Sequence, residues 1–362
     1  MSRPAHLHIT GADPRQRGED RGRQAAVEIA RAWRIYLELF EAVAVASQTR
    51  IDVAALAQRS ISATRAWAPE LVTEMEGVAE GAGLPLWAVA ALNARTELLA
   101  VAGAPRAGEC STVVHVGQPT IGGQSWDWHA ELADAWHVQS VCGDALGFTG
   151  ITEYGILAKI GINEAGVGVL LNILGHVDDG VDGVPVHLVA RKVLGSAASF
   201  DDAVAILSDA PVSASTVMTV VTADRAASVE VSPAGTAVLA PDEEGWLLHT
   251  NHFLDPALAD GELRGRREPE TYDRLRALAA RLKNMNGLHS VDDLAALLAV
   301  HPDGGAEVCC HPPAVGQLGT RWATLATVVV EPASRRLMLH PGGPCSARAS
   351  TWMPVTAPHC ER

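Results

Sequence analysis

Six cysteines stand at positions 110, 142, 309, 310, 345 and 360, and the setting of the first suits a nucleophile. Cys110 follows the loose stretch GAPRAGE (103–109) and directly precedes STVVHV (111–116). A thiol at the head of a strand is natural for a residue that becomes a chain terminus. Cutting the Glu109–Cys110 bond would free an α-amine of pKa about 8 beside the thiol, a built-in general base. A small buried thiol with no chemistry is the competing reading. His249 and His252 flank Asn251; at helical spacing the pair would suit a metal, but this stretch reads as strand then turn, so packing or hydrogen-bonding histidines are expected. Cys309-Cys310-His311 lacks Cys-x-x-Cys pairing and the other cysteines lie far away in sequence. No metal site is expected there, only two thiols at the end of an element. The chain contains no G-x-x-x-x-G-K-[ST], H-E-x-x-H or G-x-S-x-G, and no G-x-G-x-x-G after a strand. Lysine occurs only at positions 159, 192 and 283, which leaves few candidates for Schiff-base chemistry.

Two kinds of periodicity must position these groups. Ala25–Ala46 places Val27, Ile29, Ala30, Trp33, Ile35, Tyr36 and Leu39 at helical spacing. Residues 51–64, 70–82 and 85–102 continue the pattern, with Pro69 and Pro85 near helix starts. After the glycine-rich break at 103–109 the period changes. Residues 111–117, 119–124, 136–141, 155–162 and 167–171 are short apolar runs punctuated by Gly and Asn, which suits strands. Helical windows follow at 186–194 and 201–207, strands at 216–222, 227–231, 237–239 and 246–250, and helices at 269–283 and 291–300. Residues 324–331 and 336–339 read as a closing hairpin. Helices in runs and strands in runs indicate an α+β class.

Composition excludes several functions. Apolar residues make up 48% of the 362 positions and charged residues 19%, enough for a sizeable core and too ordered a pattern for a disordered chain. The net charge of −14 repels polyanions, so no nucleic-acid partner is expected. No run reaches 18 apolar residues and the first 22 residues lack a basic then apolar leader, so neither a membrane span nor a secretory signal is expected. Six cysteines in this length fit a reducing compartment better than a disulfide scaffold, which makes a cytoplasmic address the expectation.

Many short motifs in order resemble one family. They are Gly11-x-x-Pro14-x-x-x-Gly18-x-x-x-Gly22, Asn93-x-Arg95-Thr96-Glu97, Glu109-Cys110-Ser111-Thr112 and Gly123-Gln124-Ser125-Trp126-Asp127-Trp128. They continue with Thr152-Glu153-x-Gly155-Ile156, Gly161-x-Asn163-x-x-Gly166, Gly183-x-Pro185-x-His187 and Glu230-x-Ser232-Pro233. His249-Thr250-Asn251-His252 and Arg321-x-x-Thr324-Leu325 close the series. The chain resembles the acyl-coenzyme A:6-aminopenicillanic acid acyltransferase (isopenicillin N acyltransferase) family of N-terminal-nucleophile (Ntn) hydrolases.

The resemblance implies a four-layer αββα sandwich of two stacked, mainly antiparallel sheets. Residues 1–109 would be a helical pro-segment that stays as a wrapped subunit, and 110–362 the catalytic segment beginning at Cys110. It implies self-cleavage between Glu109 and Cys110, with Cys110 then the nucleophile, Thr112 a hydroxyl beside it, Asp127 a site carboxylate, Asn251 an oxyanion donor and Arg321 a site arginine. Ser232 matches a polar position near the pocket, and Trp126 and Trp128 are candidates for an apolar acyl pocket or for ordinary core. Three positions depart from the family pattern: Glu109 stands where the archetype has Gly, Ser125 replaces an Asn, and Cys310 replaces an Arg. The implied partners are a small amide or acyl donor, an amine acceptor and the two cleaved pieces themselves. No cofactor is implied, although acyl-CoA is a candidate substrate. Hydrolysis of small N-acyl compounds, acyl-CoA-dependent transfer in a biosynthetic pathway, and an uncleaved binding protein are the readings the residues leave open.

Overall fold

The computed structural model describes residues 3–103, 110–143, 145–285 and 287–360. Glu109, and with it the bond expected to be cut, lies outside these residues.

Among the described residues, six helices fill most of the first segment: α1 (Pro14–Gln24), α2 (Ala26–Ala46), α3 (Val53–Trp67), α4 (Pro69–Ala82), α5 (Leu86–Asn93) and α6 (Arg95–Ala102). Asp52 caps α3 by accepting from the Ala55 amide, and Pro69 opens α4 where its missing N–H costs nothing. Sequence periodicity does not show α1, because its residues PRQRGEDRGRQ are almost all charged or small. Its glycines are there for contact. Gly18 and Gly22 lie against Gly77 and Gly81 of α4, so close that a Cβ on Gly18 would overlap the Glu74 carbonyl and one on Gly77 that of Arg15. Gly18→Ala is therefore expected to cost about 1–3 kcal/mol despite its better helix propensity, read as a lowered midpoint in thermal unfolding. An unchanged midpoint would show that the two helices part freely.

The larger sheet has eight strands. Its order is β1 (His6–Ile9), β4 (Trp136–Val141), β5 (Phe148–Glu153), β6 (Ile160–Asn163), β7 (Gly168–Ile173), β8 (Thr216–Val221), β9 (Ala226–Ser232) and β10 (Gly235–Leu239). The smaller sheet has six, in the order β11 (Trp246–His249), β2 (Ser111–His115), β3 (Ile121–His129), β12 (Trp322–Glu331), β13 (Arg336–Pro341) and β14 (Met353–Thr356). All neighbours among the described strands are antiparallel except β1 and β4. The sheets face each other through β2 and β7, and β9 and β11. Helices α7 (Val186–Ser196) and α8 (Phe200–Asp209) cover the larger sheet, and short helices α9 (Pro256–Ala259) and α10 (Arg264–Arg267) follow β11. Helices α11 (Glu270–Leu282) and α12 (Val291–Leu298) cover the smaller one, with Val113, Ile121 and Val329 packed beneath Leu294 and Leu298. The architecture is the α+β, four-layer αββα sandwich.

The structure corrects three expectations. The N-terminal segment is not wholly helical: β1 supplies the edge strand of the larger sheet, pairing His6–Ile9 with Val138–Val141. The run 155–162 is mostly a turn, in which Gly155 takes φ +90° and only Ile160 onward is strand. Ile156 and Leu157 are apolar because they are buried, with the Leu157 amide donating to Asn93 of α5. Third, the cysteines are not all thiols. Cys142 and Cys360 form a disulfide across a sequence separation of 218, which no local spacing reveals, and which removes the basis for expecting a reducing compartment. Among the described residues no helix is long and apolar enough to cross a membrane.

Candidate active site

Strand alternation sorts the site's residues onto two faces. In the β2–β3 pair, Thr112 lies opposite Gln124 and Ser111 opposite Ser125. Thr112 Oγ1 donates to Asn172 Oδ1 of β7 at 2.6 Å, and Gln124 Nε2 donates to the Leu171 carbonyl, so these side chains face the other sheet. Trp126 and Trp128 follow Gln124 on that face. Ser111 instead meets Arg274 of α11, 3.1 Å from its hydroxyl, and Asp127 shares that outer face.

Cys110 stands where both faces meet. Its carbonyl accepts from Asn172 Nδ2 at 2.9 Å on one side and from Arg274 Nη1 at 3.0 Å on the other. The buried thiol points at the Asp127 carbonyl, 3.9 Å away. Burial and the nearby Asp127 push this thiol up to about 11, against the opposing pull of Lys159 and Arg274. About 10⁻⁴ of it is thiolate at pH 7, so attack requires a base or a further positive charge. Burial likewise raises Asp127 to about 7, opposed by Thr324 and Arg274, and neither carboxylate oxygen makes a hydrogen bond of good geometry among the described residues. A carboxyl balanced at neutral pH can hold or release a proton there.

Asn251 follows β11 and is buried. Its Oδ1 accepts from Arg274 Nη2 at 3.0 Å, and since arginine only donates, this fixes which atom is oxygen. Its Nδ2 donates to the Ile173 carbonyl at 2.8 Å, leaving one N–H for another acceptor, and its backbone amide is held by Thr271 Oγ1. Arg274 thus spans Cys110, Ser111 and Asn251.

The structure brings Cys110, Thr112, Asp127 and Asn251 into one buried cluster and places the other expected residues around or away from it. Trp126 and Trp128 are buried under cations: Lys159 Nζ lies 4.3 Å from the Trp126 ring and the Arg95 guanidinium 3.9 Å from that of Trp128. Trp128 also donates to Tyr36 Oη at 2.8 Å, which makes it part of the interior. Arg321 is partly exposed; it contacts Glu131 at 3.5 Å and the Pro313 carbonyl, and lines an open cleft of about 850 Å³ with Cys310, Thr324 and Gly342. The Ser232 hydroxyl bonds Ser215 and the Ala234 amide rather than Cys110. His249 bonds Glu230 and the Thr250 carbonyl, and His252 lies beside the hydroxyls of Thr250 and Thr271.

Sequence reasoning missed Arg274, Asn172 and Lys159. Arg274 is one of several arginines in α11 and nothing local marks it; Lys159 had one signal, the rarity of lysine. Lys159 belongs to a buried ion cluster behind the site. Its Nζ lies 3.0 Å from Glu153, which also takes a two-pronged contact from Arg95 and the hydroxyl of Tyr36. Burial, with Arg95, lowers Lys159 to about 8.

A family model for acyl-coenzyme A:6-aminopenicillanic acid acyl-transferases matches residues 116–345. This chain belongs to that family. The 40 kDa form of acyl-coenzyme A:6-aminopenicillanic-acid-acyltransferase from Emericella nidulans is 30% identical over 252 residues, 68% of this chain and 70% of that one. Solved structures of similar proteins include a Caenorhabditis elegans N-acylethanolamine-hydrolyzing acid amidase ortholog, 14% identical with a TM-score of 0.44 over 62% of this chain and 93% of that one. Penicillin V acylase from Agrobacterium tumefaciens is 16% identical, with a TM-score of 0.41 over 64% and 83%. In this acyl-transferase family member the matched stretch holds Asp127, Asn251, Arg274 and Arg321, while Cys110 and Thr112 lie just before it.

Proposed function

We propose that the chain is a self-processing cysteine Ntn enzyme that hydrolyses or transfers the acyl group of small N-acyl compounds. The observation that carries this reading is the seating of Cys110: a buried thiol at a strand head, its own carbonyl held from both sides, beside an oriented Asn251 amide. In maturation, the Cys110 thiol attacks the Glu109 carbonyl and the peptide nitrogen leaves with a proton, giving a thioester. Water hydrolyses it to a Glu109 carboxylate and a free Cys110 with thiol and α-amine. The new ammonium beside the sulfur supplies the charge that the intact chain lacks, and its neutral form supplies the base.

In turnover the α-amine takes the thiol proton and the thiolate attacks the substrate carbonyl. Asn251 donates its remaining N–H to the oxyanion. The leaving amine departs with the proton, and water or a second amine releases the acyl group from the cysteine. The acyl-enzyme is what lets one site serve both outcomes.

Hydrolysis or transfer without coenzyme A is favoured by the fate of the dense arginines at 264, 266 and 267. They do not form one surface cradle for phosphates, because Arg264 is buried and pairs with Glu268 at 3.4 Å. The test is intact mass of purified protein, followed by incubation with N-acyl amino acids, penicillins, and acyl-CoA plus amines. Two pieces, the larger starting at Cys110, with product from the first two substrates support the reading; a persistent single chain with no product overturns it. On processed protein, Asn251→Ala is expected to lower kcat by about 10²–10³-fold with little change in KM. A changed KM at constant kcat would assign Asn251 to binding alone.

A further inference from the structure

Four side chains from separate parts of the chain converge near the edge of the smaller sheet: His301, Cys309, His311 and Cys345. Their ligand atoms all lie within 4.8 Å of one another. Cys309 Sγ is 3.5 Å from Cys345 Sγ; His311 Nε2 is 3.6 Å from the first sulfur and 3.4 Å from the second; the two Nε2 atoms are 3.2 Å apart. A zinc ion with bonds of about 2.3 Å to sulfur and 2.0–2.1 Å to nitrogen sets tetrahedral edges of about 3.8, 3.6 and 3.3 Å for S–S, S–N and N–N. These four edges lie within about 0.3 Å of the tetrahedral lengths, and the remaining two, from His301 to each sulfur, lie within 4.8 Å. No carboxylate joins the four among the described residues, and both Nε2 atoms face the cluster.

We propose that these residues form a structural zinc site of the Cys₂His₂ type. Binding takes one Zn²⁺ and releases two protons, one from each thiol, while both histidines coordinate through neutral Nε2. Two thiolates balance the ion's charge, so the site carries no net charge into a partly buried position. All four positions are filled by the protein, which is the arrangement of a structural rather than a catalytic zinc.

The surrounding backbone is built for it. The amides of Val308 and Cys309 both donate to the Val300 carbonyl, closing the loop that brings His301 to Cys309 and His311. A Cβ at Gly343 would stand 2.7 Å from Cys309 Sγ and push it from its present place, so the glycine leaves room for the sulfur beside Cys345. Between the two loop ligands, Cys310 bonds Thr324 through both its amide and its carbonyl, and Thr324 pairs with Asp127. The ion would pin the loop that backs the Asp127 wall of the active site. Sequence spacing hides this site because its ligands come from a turn, a loop and the 3-10 turn after β13, as much as 44 residues apart.

The experiment is titration of the full chain, stripped with a chelator under reductant, with Co²⁺ and then Zn²⁺, in wild type and in Cys110→Ala so that the nucleophile cannot supply the signal. Expected are one equivalent of tightly bound Co²⁺ with intense tetrahedral ligand-field bands and thiolate charge-transfer absorption in both proteins, displaced stoichiometrically by Zn²⁺. Cys345→Ser and His311→Ala should each weaken Zn²⁺ binding by at least tenfold, and Zn²⁺ should raise the unfolding midpoint of wild type but not of Cys345→Ser. A weak octahedral spectrum, or recovery of a Cys309–Cys345 disulfide from metal-replete reduced protein, overturns the proposal.

Discussion

Cys110→Ala is expected to persist as one 38.0 kDa chain with activity reduced on the order of 10⁴-fold or more, while wild type separates into residues 1–109 and 110–362. The effect is large because, in the proposed mechanism, one sulfur serves two consecutive steps. Without it no thioester forms at Glu109, so the α-amine is never released, and the later acyl transfer loses its nucleophile and its base together. The buried, protonated thiol of the intact chain makes the first step slow, and Glu109 adds a charged side chain at the attacked carbonyl where the family archetype has none. Cys110→Ser separates the two roles, since its hydroxyl retains the geometry with a poorer nucleophile; it should cleave more slowly than wild type and turn over less. Intact mass and N-terminal sequencing read the outcome. Cleavage of the alanine variant at the wild-type bond and rate would end the mechanism.

Glu153→Gln is expected to destabilise the fold by about 3–5 kcal/mol. Burial opposes ionisation of Glu153, yet Arg95 and then Lys159 outweigh it and hold the carboxyl well below the usual range. The glutamine removes the anion that pairs with both cations and leaves Arg95 and Lys159 buried and facing each other. The pH dependence follows from the direction of the shift. A depressed carboxyl contributes its stability fully above the unfolded value of about 4.3 and loses it as pH falls through the folded value. The gap between wild type and variant should therefore be widest at neutral pH and narrow below about pH 4. Denaturant unfolding across that range measures it; equal stabilities at pH 7 would mean the cluster is paid for elsewhere.

The sequence disclosed the long helices and the change of period near 103–110, because each has a local signature. Residues 26–46 show their buried stripe directly, and Pro69 marks the start of α4. What stayed hidden depends on distant partners. Helix α1 is polar and is held by glycine contacts with α4; the run at 155–162 is apolar through burial and not through strand pairing. Arg274 looks like any helical arginine until α11 is laid over β2, and Arg321, singled out by motif, sits at the cleft instead of on Cys110. Glu153 and Arg95 stood within matched motifs, but only the fold joins them.

The contacts between the two segments carry a consequence for heat history. Strand β1 completes the larger sheet from the first segment, and Arg95 and Glu74 meet Glu153 and Arg191 of the second. The Cys142–Cys360 bond lies wholly within the second, so it cannot tether the first. While the chain is whole, these pairings form within one molecule at high effective concentration; after the proposed cut, the same encounter would need two molecules. Recovery of a processed protein after melting should then depend on dilution, whereas that of the intact chain should not.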